Sequence, residues 1–181
     1  GQKTWISTAQ VANKVLLIAR TADESETARP VDGLSLFFTD LDRSKVEIRE
    51  IAKMGRKCVD SNQVFFDAME IPIENRIGEE GQGFRHLLHG INPERILIAA
   101  GLVGLGRAAL NRATRYAKER VVFDRPIGMN QSVQHPLAQN WVELEAANLM
   151  AFRAAQLYDR GEDCGAMANA AKFLAGEATF Q

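Results

Sequence analysis

The stretch that decides the fold runs from Ile96 to Ala117 and reads ILIAAGLVGLGRAALNRATRYA. Its apolar residues recur at spacings of three, four or their sums, which is the period of one face of an α-helix. The pattern therefore predicts one long helix. Gly101, Gly104 and Gly106 would each cost an isolated helix about 1 kcal/mol relative to alanine. We expect them to let another helix or a ligand come close.

Two more helices are predicted downstream, after a loop from Phe123 to Gly128. The second helix is expected to end by Gly161. It is marked by residues at helical spacing, namely Val133, Leu137, Trp141, Leu144, Asn148 and Phe152. The third starts at Cys164 and is still in helical register at Gln181. Because no C-cap signal is present there, the natural protein is expected to continue.

The first part of the chain has short apolar runs separated by turn-forming residues, which favours strands. The predicted strands are Thr4–Ser7, Val15–Ala19, Leu34–Phe38, Val46–Ile51 and Gln63–Phe66. Residues 46–51 alternate with period two, so that strand should have one wet and one buried face. Residues 21–32 are polar and predict a mobile surface loop. Nothing precedes the first strand to pair with it, so the chain is expected to begin within a domain.

The change in periodicity divides the chain near residues 74 to 82. Pro72, Asn75 and Gly78 close the first pattern, and Gly81-Gln82-Gly83 opens the second. We therefore predict an α+β protein of two parts. Residues 1–76 would form a partial antiparallel β-sheet or barrel-like domain, and residues 77–181 a partial antiparallel α-helical bundle.

Composition limits the classes of partner. With 22 basic and 23 acidic residues the formal net charge is −1, so no broad surface for nucleic acid or anionic membrane is expected. No apolar run reaches the roughly 20 residues that span a bilayer, and no membrane span is predicted. Cys58 and Cys164 are expected to be reduced thiols in an intracellular protein. His86 and His89 lack a third ligand at suitable spacing, so no metal site is predicted.

The first segment that could carry chemistry is Lys3-Thr4-Trp5-Ile6-Ser7. A strand that offers an exposed tryptophan beside a hydroxyl residue suits the isoalloxazine ring of a flavin. The indole would shield one edge of the ring, and Ser7 Oγ or an adjacent backbone N–H would bond its reactive nitrogen. The alternative is that Trp5 is a core aromatic and Ser7 an ordinary strand residue.

The second segment, Asn92-Pro93-Glu94-Arg95, is expected at the start of the long helix. An acidic side chain in a first helical turn ordinarily stabilises the helix dipole by about 0.3 to 1 kcal/mol. The functional alternative is a carboxylate base beside an arginine anchor.

The third segment comprises Arg120-Val121-Val122-Phe123, followed by Arg125-Pro126-Ile127 and Asn130-Gln131. An arginine at a helix C-terminus is favourable through the dipole alone, and Phe123 could simply plug a helix junction. A guanidinium also pairs with pyrophosphate, and an aromatic ring can lie against adenine. The segment therefore fits a dinucleotide equally well.

In this order, the segments resemble the acyl-CoA dehydrogenase family along the whole chain. Residues 5–7 resemble the family's Trp-Ile-Thr/Ser flavin strand, and residues 54–61 and 64–72 its "MG-R-SD" and "F-DV-VP" strands. Gly81-Gln82-Gly83-Phe84 resembles the G-x-G-F entry to the helical domain. Residues 116–127, followed by Gln131, resemble its "YA-ER-FG-PI" signature and the glutamine after it. The chain is thus identified as an internal segment of such a protein.

The resemblance implies a role for each matching residue. Trp5, Ile6 and Ser7 would contact the flavin ring. The FAD of a neighbouring subunit would be lined by Arg120, Val122, Phe123, Asn130 and Gln131, so a homo-dimer or homo-tetramer is expected. Asn92 and Arg95 would bind the substrate beside the CoA thioester, and Glu94 would be the catalytic base. Relatives carry this glutamate either on this helix before an arginine or late in the C-terminal domain, which lies beyond Gln181.

The implied reaction is FAD-dependent α,β-dehydrogenation of an acyl-CoA to a trans-2-enoyl-CoA, with an electron acceptor that is itself a flavoprotein. The alternatives are an acyl-CoA oxidase, a flavin monooxygenase, or a truncated module without catalysis. The expected location is cytoplasmic in a bacterium, and mitochondrial matrix or peroxisome in a eukaryote. Two residues depart from the family pattern: Gln10 and Asp124 both stand where glycine is usual.

Overall fold

The apolar runs of the N-terminal part form six antiparallel strands. They are β1 (Gln2–Ser7), β2 (Lys14–Arg20), β3 (Leu34–Asp40), β4 (Val46–Glu50), β5 (Ser61–Phe66) and β6 (Arg76–Ile77). This computed structural model describes all of residues 1–181. It contains two compact units, residues 1–87 and residues 88–181. All five predicted strands are present.

The strands form two three-stranded sheets, with the orders β1-β5-β4 and β2-β3-β6. β2 and β3 pair without a register shift from Lys14 opposite Asp40 to Arg20 opposite Leu34. Apolar side chains on the inner faces, including Leu17, Leu36 and Val64, are buried. The antiparallel sheets confirm the predicted class, but they do not close into a barrel, because each sheet has two unpaired edges.

The polar segment between β2 and β3 contains two 3-10 turns, Glu24–Glu26 and Pro30–Gly33. Asp23 caps the first turn, since its carboxylate accepts a hydrogen bond from the backbone N of Ser25 at 2.9 Å. Arg29 pairs with Asp32 at 2.7 Å. The segment thus has local structure, and its predicted mobility stays a prediction.

The long helix α1 spans Gly83–Glu119. Its existence is confirmed, but it begins well before Ile96, and the placement of Asn92–Arg95 at its start is wrong. Pro93 lies inside the helix. Since proline has no N–H, the carbonyl four residues earlier loses its helical donor there. The segment 92–95 lies about three turns from the N-terminus of α1, too far for a capping role for Glu94.

Two helices complete the second unit, α2 (Gln131–Asp159) and α3 (Gly165–Phe180). Both predicted helices are confirmed; α2 begins two residues before Val133 and ends at Asp159, before Gly161 as predicted. Small side chains form the core shared by the three helices: Ala99, Val103, Ala147, Ala151, Ala171 and Ala175. Thr179 Oγ1 donates to the carbonyl of Leu102 at 2.9 Å, and this bond links α3 to α1.

Of the three glycines predicted to let another helix come close, Gly106 is the one that lies against a neighbouring helix in the structure. A Cβ built there would lie 2.5 Å from Leu144 Cδ2, so the Leu144 side chain of α2 would have to shift if residue 106 carried a Cβ. At Gly101 and Gly104 a Cβ would meet nothing within 4 Å. Arg107 pairs with Glu145 at 2.6 Å beside this contact. The predicted use of Gly101 and Gly104 is therefore not found within the chain.

By length and composition alone, α1 would be able to cross a bilayer, with a mean hydropathy of 1.3 over 18 residues, 22% of them buried. One such helix is a weak indication, because a core helix of a globular domain passes the same test. The absence of a membrane span stays a prediction. The predicted domain boundary between residues 76 and 77 also stays a prediction. The boundary between the two compact units lies between residues 87 and 88.

Candidate functional site

Trp5 lies on an irregular stretch of β1. The pairing of β1 with β5 shifts register between Lys3 and Ile6, and Trp5 has a φ of 64°. Few residues other than glycine adopt this left-handed conformation, and a β-bulge is one place that accommodates it. The indole is 65% exposed. Trp5 is therefore not a core aromatic of this unit.

The segment after Trp5 is tied to β5 by one buried amide. Asn62 is fully buried, and its Nδ2 donates to the Ile6 carbonyl at 2.9 Å and to a carboxylate oxygen of Asp60. Its Oδ1 accepts a hydrogen bond from Gln10 Nε2 at 2.9 Å. The hydrogen bond from Asn62 lowers the pKa of the Asp60 carboxyl below its usual value. The Ile6 carbonyl is thus held by a side chain whose own polar groups are satisfied.

Ser7 lies at the wall of two cavities. One, of about 350 Å³, is lined mainly by apolar side chains of β1, β2 and β5. The other, of about 450 Å³, is bounded by Ser7 and by the loop between β4 and β5, with Lys53, Arg56 and Cys58 in its lining. Ser7 is exposed, so its hydroxyl is accessible to a ligand.

Glu94 is exposed on α1 and forms no ion pair or side-chain hydrogen bond within the chain. Its neighbour Arg95 donates from Nη1 to Asn92 Oδ1 at 3.2 Å. One helical turn beyond Glu94, Leu97 is 72% exposed. The structure therefore brings together the arginine and the asparagine of this segment and leaves the carboxylate free beside an apolar surface.

The predicted loop after α1 is a tight β-hairpin. β7 (Val121–Val122) pairs with β8 (Arg125–Pro126). The two residues between them, Phe123 and Asp124, have φ values of 53° and 59°. Positive φ at both central positions defines a type I′ turn. The turn leaves the Phe123 ring at the tip, 93% exposed.

Side-chain hydrogen bonds join this hairpin to the start of α2. Arg125 Nη2 donates to Asn130 Oδ1 at 2.6 Å, and Asn130 Nδ2 donates to the Ile127 carbonyl at 3.0 Å. Asn130 is the N-cap of α2, but its side chain makes no capping bond. The N–H groups of Gln131 and Ser132 therefore remain open, and helix N-termini with open N–H groups attract anions. Arg120, Val122, Phe123, Asn130 and Gln131 all lie on this short connection.

Asp124→Gly is expected to raise the free energy of unfolding by about 0.5 kcal/mol, because glycine adopts positive φ without steric cost. Asp124→Val is expected to lower it by about 1 to 2 kcal/mol, since a β-branched residue is poorly tolerated there. Urea unfolding of both variants checks this. Equal effects of the two substitutions on the free energy of unfolding would show that residue 124 does not adopt the left-handed conformation.

Reasoning from the sequence missed the contact of Asn62 with Gln10 and the bond from Arg125 to Asn130. An asparagine in a short strand such as β5 carries no signal of its own, and both contacts depend on which residues the fold brings together. No group of three or more His, Cys, Asp or Glu side chains in the chain is arranged to hold a metal ion.

Three comparisons place the chain among known proteins. The family model described as acyl-CoA dehydrogenase, C-terminal domain, matches residues 81–181. The acyl-CoA dehydrogenase fadE12 of Mycobacterium bovis is 41% identical, over 99% of this chain and 46% of that protein. The chain thus spans about half the length of the curated relatives it matches.

The chain is also similar to solved structures of acyl-CoA dehydrogenases and other flavoproteins. The complex of glutaryl-coenzyme A dehydrogenase with glutaryl-CoA is similar with a TM-score of 0.83 at 36% identity, over 98% of this chain and 45% of the other. A structure of PigA with FAD and proline has a TM-score of 0.86 at 27% identity, over 99% of this chain and 46% of the other. The similarity extends over both units of the chain.

Proposed function

The chain belongs to the acyl-CoA dehydrogenase family, and from this membership we propose that it is part of a flavoenzyme that oxidises an acyl-CoA thioester to a trans-2-enoyl-CoA with FAD. The observation that carries the proposal is the 41% identity to a named acyl-CoA dehydrogenase over 99% of the chain. Glutaryl-CoA in one related structure and FAD in another support the substrate class and the cofactor.

The N-terminal unit has the groups that a flavin ring needs. Trp5 offers an exposed flat ring, and Ser7 offers an exposed hydroxyl two residues away. Both are on β1, on either side of Ile6, whose carbonyl accepts a hydrogen bond from Asn62. Bound FAD would supply the acceptor for the β-hydrogen, which leaves as a hydride. The role of Trp5, Ile6 and Ser7 would be to hold and orient the ring.

The helical unit has groups that suit the dinucleotide part of FAD. Arg120 is exposed at the end of α1, and the open N–H groups of Gln131 and Ser132 begin α2. Guanidinium groups and helix N-termini both bind phosphate oxygens. Phe123 presents a free ring to a planar base. As in the family, these residues would serve the FAD of a neighbouring copy, which makes a homo-dimer or homo-tetramer part of the proposal.

Glu94 is proposed as the base that removes the α-proton of the acyl-CoA. A free carboxylate is a weak base for a carbon acid unless desolvation raises its pKa and hydrogen bonds to the thioester oxygen acidify the substrate. In the free chain Glu94 is exposed. Desolvation would therefore come with the bound substrate and the flavin, and Leu97 would add apolar surface beside the carboxylate. Asn92 and Arg95, already hydrogen-bonded to each other, would anchor the substrate.

The proposed electron acceptor is a second flavoprotein, as the family resemblance implies. An acyl-CoA oxidase and a flavin monooxygenase remain distinct outcomes, and both would show rapid reoxidation of the reduced flavin by oxygen. A non-catalytic module would retain no flavin. Gel filtration of the full-length protein after incubation with FAD separates this last outcome from the others, because a flavoenzyme would elute with a perturbed visible flavin band.

Arg120→Ala is expected to weaken FAD binding by about 10-fold to 100-fold, because a charge-assisted hydrogen bond to phosphate is worth about 1.5 to 3 kcal/mol. Arg115→Ala is the matched control, since Arg115 is an exposed arginine in the last turns of α1 outside the proposed contact. Titration of the apoprotein with FAD measures both. Equal losses in the two variants would indicate only a general charge effect.

A further inference from the structure

The bulge in β1 interrupts the hydrogen bonds that join β1 to β5. A bulge interrupts the regular hydrogen bonds between two strands and lets the bulged strand bend. Here the interruption lies between Lys3 and Ile6, directly at Trp5. Trp5, which presents its ring from this stretch, needs another source of rigidity, because the ladder is interrupted at this residue and resumes only at Ile6 and Ser7.

Asn62 provides this rigidity. It lies opposite Ile6 in the register of β1 and β5 and is completely buried. Both hydrogens of its amide nitrogen are used, one on the Ile6 carbonyl at 2.9 Å and one on Asp60. Because a buried amide cannot exchange such bonds for water without cost, the Ile6 carbonyl has one defined position.

The same amide also fixes the chain that follows. Gln10 Nε2 donates to Asn62 Oδ1 at 2.9 Å, and the backbone N of Gln10 donates to Asp60 at 3.3 Å. The backbone N of Thr8 donates to the Asp60 carbonyl at 3.4 Å. Residues on both sides of Ser7 are therefore held by Asn62 and Asp60. Gln10, which departs from the family pattern, is one of the donors.

We propose that Asn62, with Gln10 and Asp60, is a positioning unit that sets the direction of Trp5 and Ser7 toward the flavin. The inference rests on the proposed function, in which these two residues contact the ring. Asn62 does not touch the flavin itself. It acts through the Ile6 carbonyl, and Gln10 acts by holding the Asn62 amide in place.

The test compares Asn62→Ala with Ser35→Ala in the full-length protein. Ser35 is the matched control, because it is also a fully buried polar residue of the β unit and accepts a bond from the backbone N of Gly81 at 3.0 Å, but it lies on β3. Both variants lose a buried hydrogen bond. Only Asn62→Ala is expected to raise the dissociation constant for FAD, by about tenfold, and to shift the visible flavin band.

A second measurement does not need the flavin. Residues 1–181 contain two tryptophans, Trp5 and Trp141, so in a Trp141→Phe background the emission that a further Trp5→Phe substitution removes is the emission of Trp5. In the apoprotein, Asn62→Ala is expected to change iodide quenching of Trp5 emission, and Ser35→Ala is not. Gln10→Ala removes an exposed side chain and leaves the core intact. It is expected to change the dissociation constant for FAD and the quenching of Trp5 emission in the same direction as Asn62→Ala does, by about threefold or less.

The outcomes are distinct. Equal changes in FAD affinity and quenching from Asn62→Ala and Ser35→Ala would reduce Asn62 to a stabilising residue and overturn the proposal. Should Asn62→Ala not fold, unchanged readouts in Gln10→Ala would overturn it instead. A wild-type protein that does not retain FAD would defeat the proposed function and the flavin role of this unit. Unchanged iodide quenching of Trp5 emission in the Asn62→Ala apoprotein would overturn the positioning role of Asn62 independently of FAD binding.

Discussion

Replacing Glu94 by glutamine is expected to lower kcat by about 10²-fold to 10⁴-fold, which is the usual contribution of a general base. Glutamine keeps the size and hydrogen-bonding shape of the side chain but cannot accept the α-proton. Because Glu94 makes no ion pair or side-chain hydrogen bond within the chain, the substitution leaves no partner unsatisfied. Stability and FAD affinity should stay at the wild-type level. Steady-state turnover of acyl-CoA by the full-length protein measures the effect.

Glu119→Gln is the control for this variant, since Glu119 is another exposed glutamate of α1 and has no proposed role. Its turnover should match the wild type. Wild-type turnover in Glu94→Gln would show that Glu94 is not the base. The search would then move to a glutamate outside residues 1–181, which is the second arrangement found in the family.

Gly83→Ala is expected to lower the free energy of unfolding by about 2 to 3 kcal/mol. A Cβ at Gly83 would lie 2.4 Å from the backbone carbon of Ser35 and 2.5 Å from the backbone nitrogen of Leu36. Backbone atoms of a central strand cannot move aside as a flexible side chain does, so the start of α1 would have to shift away from β3. Chemical denaturation monitored by circular dichroism checks this.

Gly90→Ala is the matched variant on the same helix. A Cβ there would meet nothing within 4 Å, and alanine is a better helix former than glycine by about 1 kcal/mol. The two substitutions are chemically identical, but their effects on the free energy of unfolding should have opposite signs, because only the Cβ at residue 83 meets backbone atoms. A stabilising or neutral effect of Gly83→Ala would show that the start of α1 is not in close contact with β3.

The start of α1 is the clearest case in which the sequence was misleading. Pro93 and Gly90 both resemble helix boundaries, because proline lacks an N–H and glycine has a low helix propensity. In the structure the helix continues through both residues. The first turn lies further upstream, at Gly83, where the helix backbone is in close contact with β3.

The position of the second helix was predicted, but its buried face was not. Trp141 and Phe152 were expected to mark the second helix, and both lie on it with more than half of their surface exposed. The buried seam consists of alanines such as Ala147 and Ala151. Large residues dominate a periodicity search, whereas closely spaced helices select small ones, so the pattern located the helix but not its buried face.

The candidate site was predictable only where short motifs carry it. Trp5 and Phe123 stood out because each lies in a short motif that resembles one of the family's motifs. The left-handed turn at Phe123 and Asp124 was not predictable, since the favoured signal for such a turn is Asn-Gly. The bond from Asn62 to Ile6 joins residues far apart in the sequence, and no local pattern indicates such a pair.

The measurement that tests the central claim most directly is an anaerobic titration of the FAD-loaded full-length protein with acyl-CoA thioesters. We expect the oxidised flavin band to bleach in proportion to added substrate and trans-2-enoyl-CoA to form in equal amount. A protein that retains FAD but is not reduced by any of a panel of straight-chain, branched and dicarboxylic acyl-CoAs would contradict the proposed function.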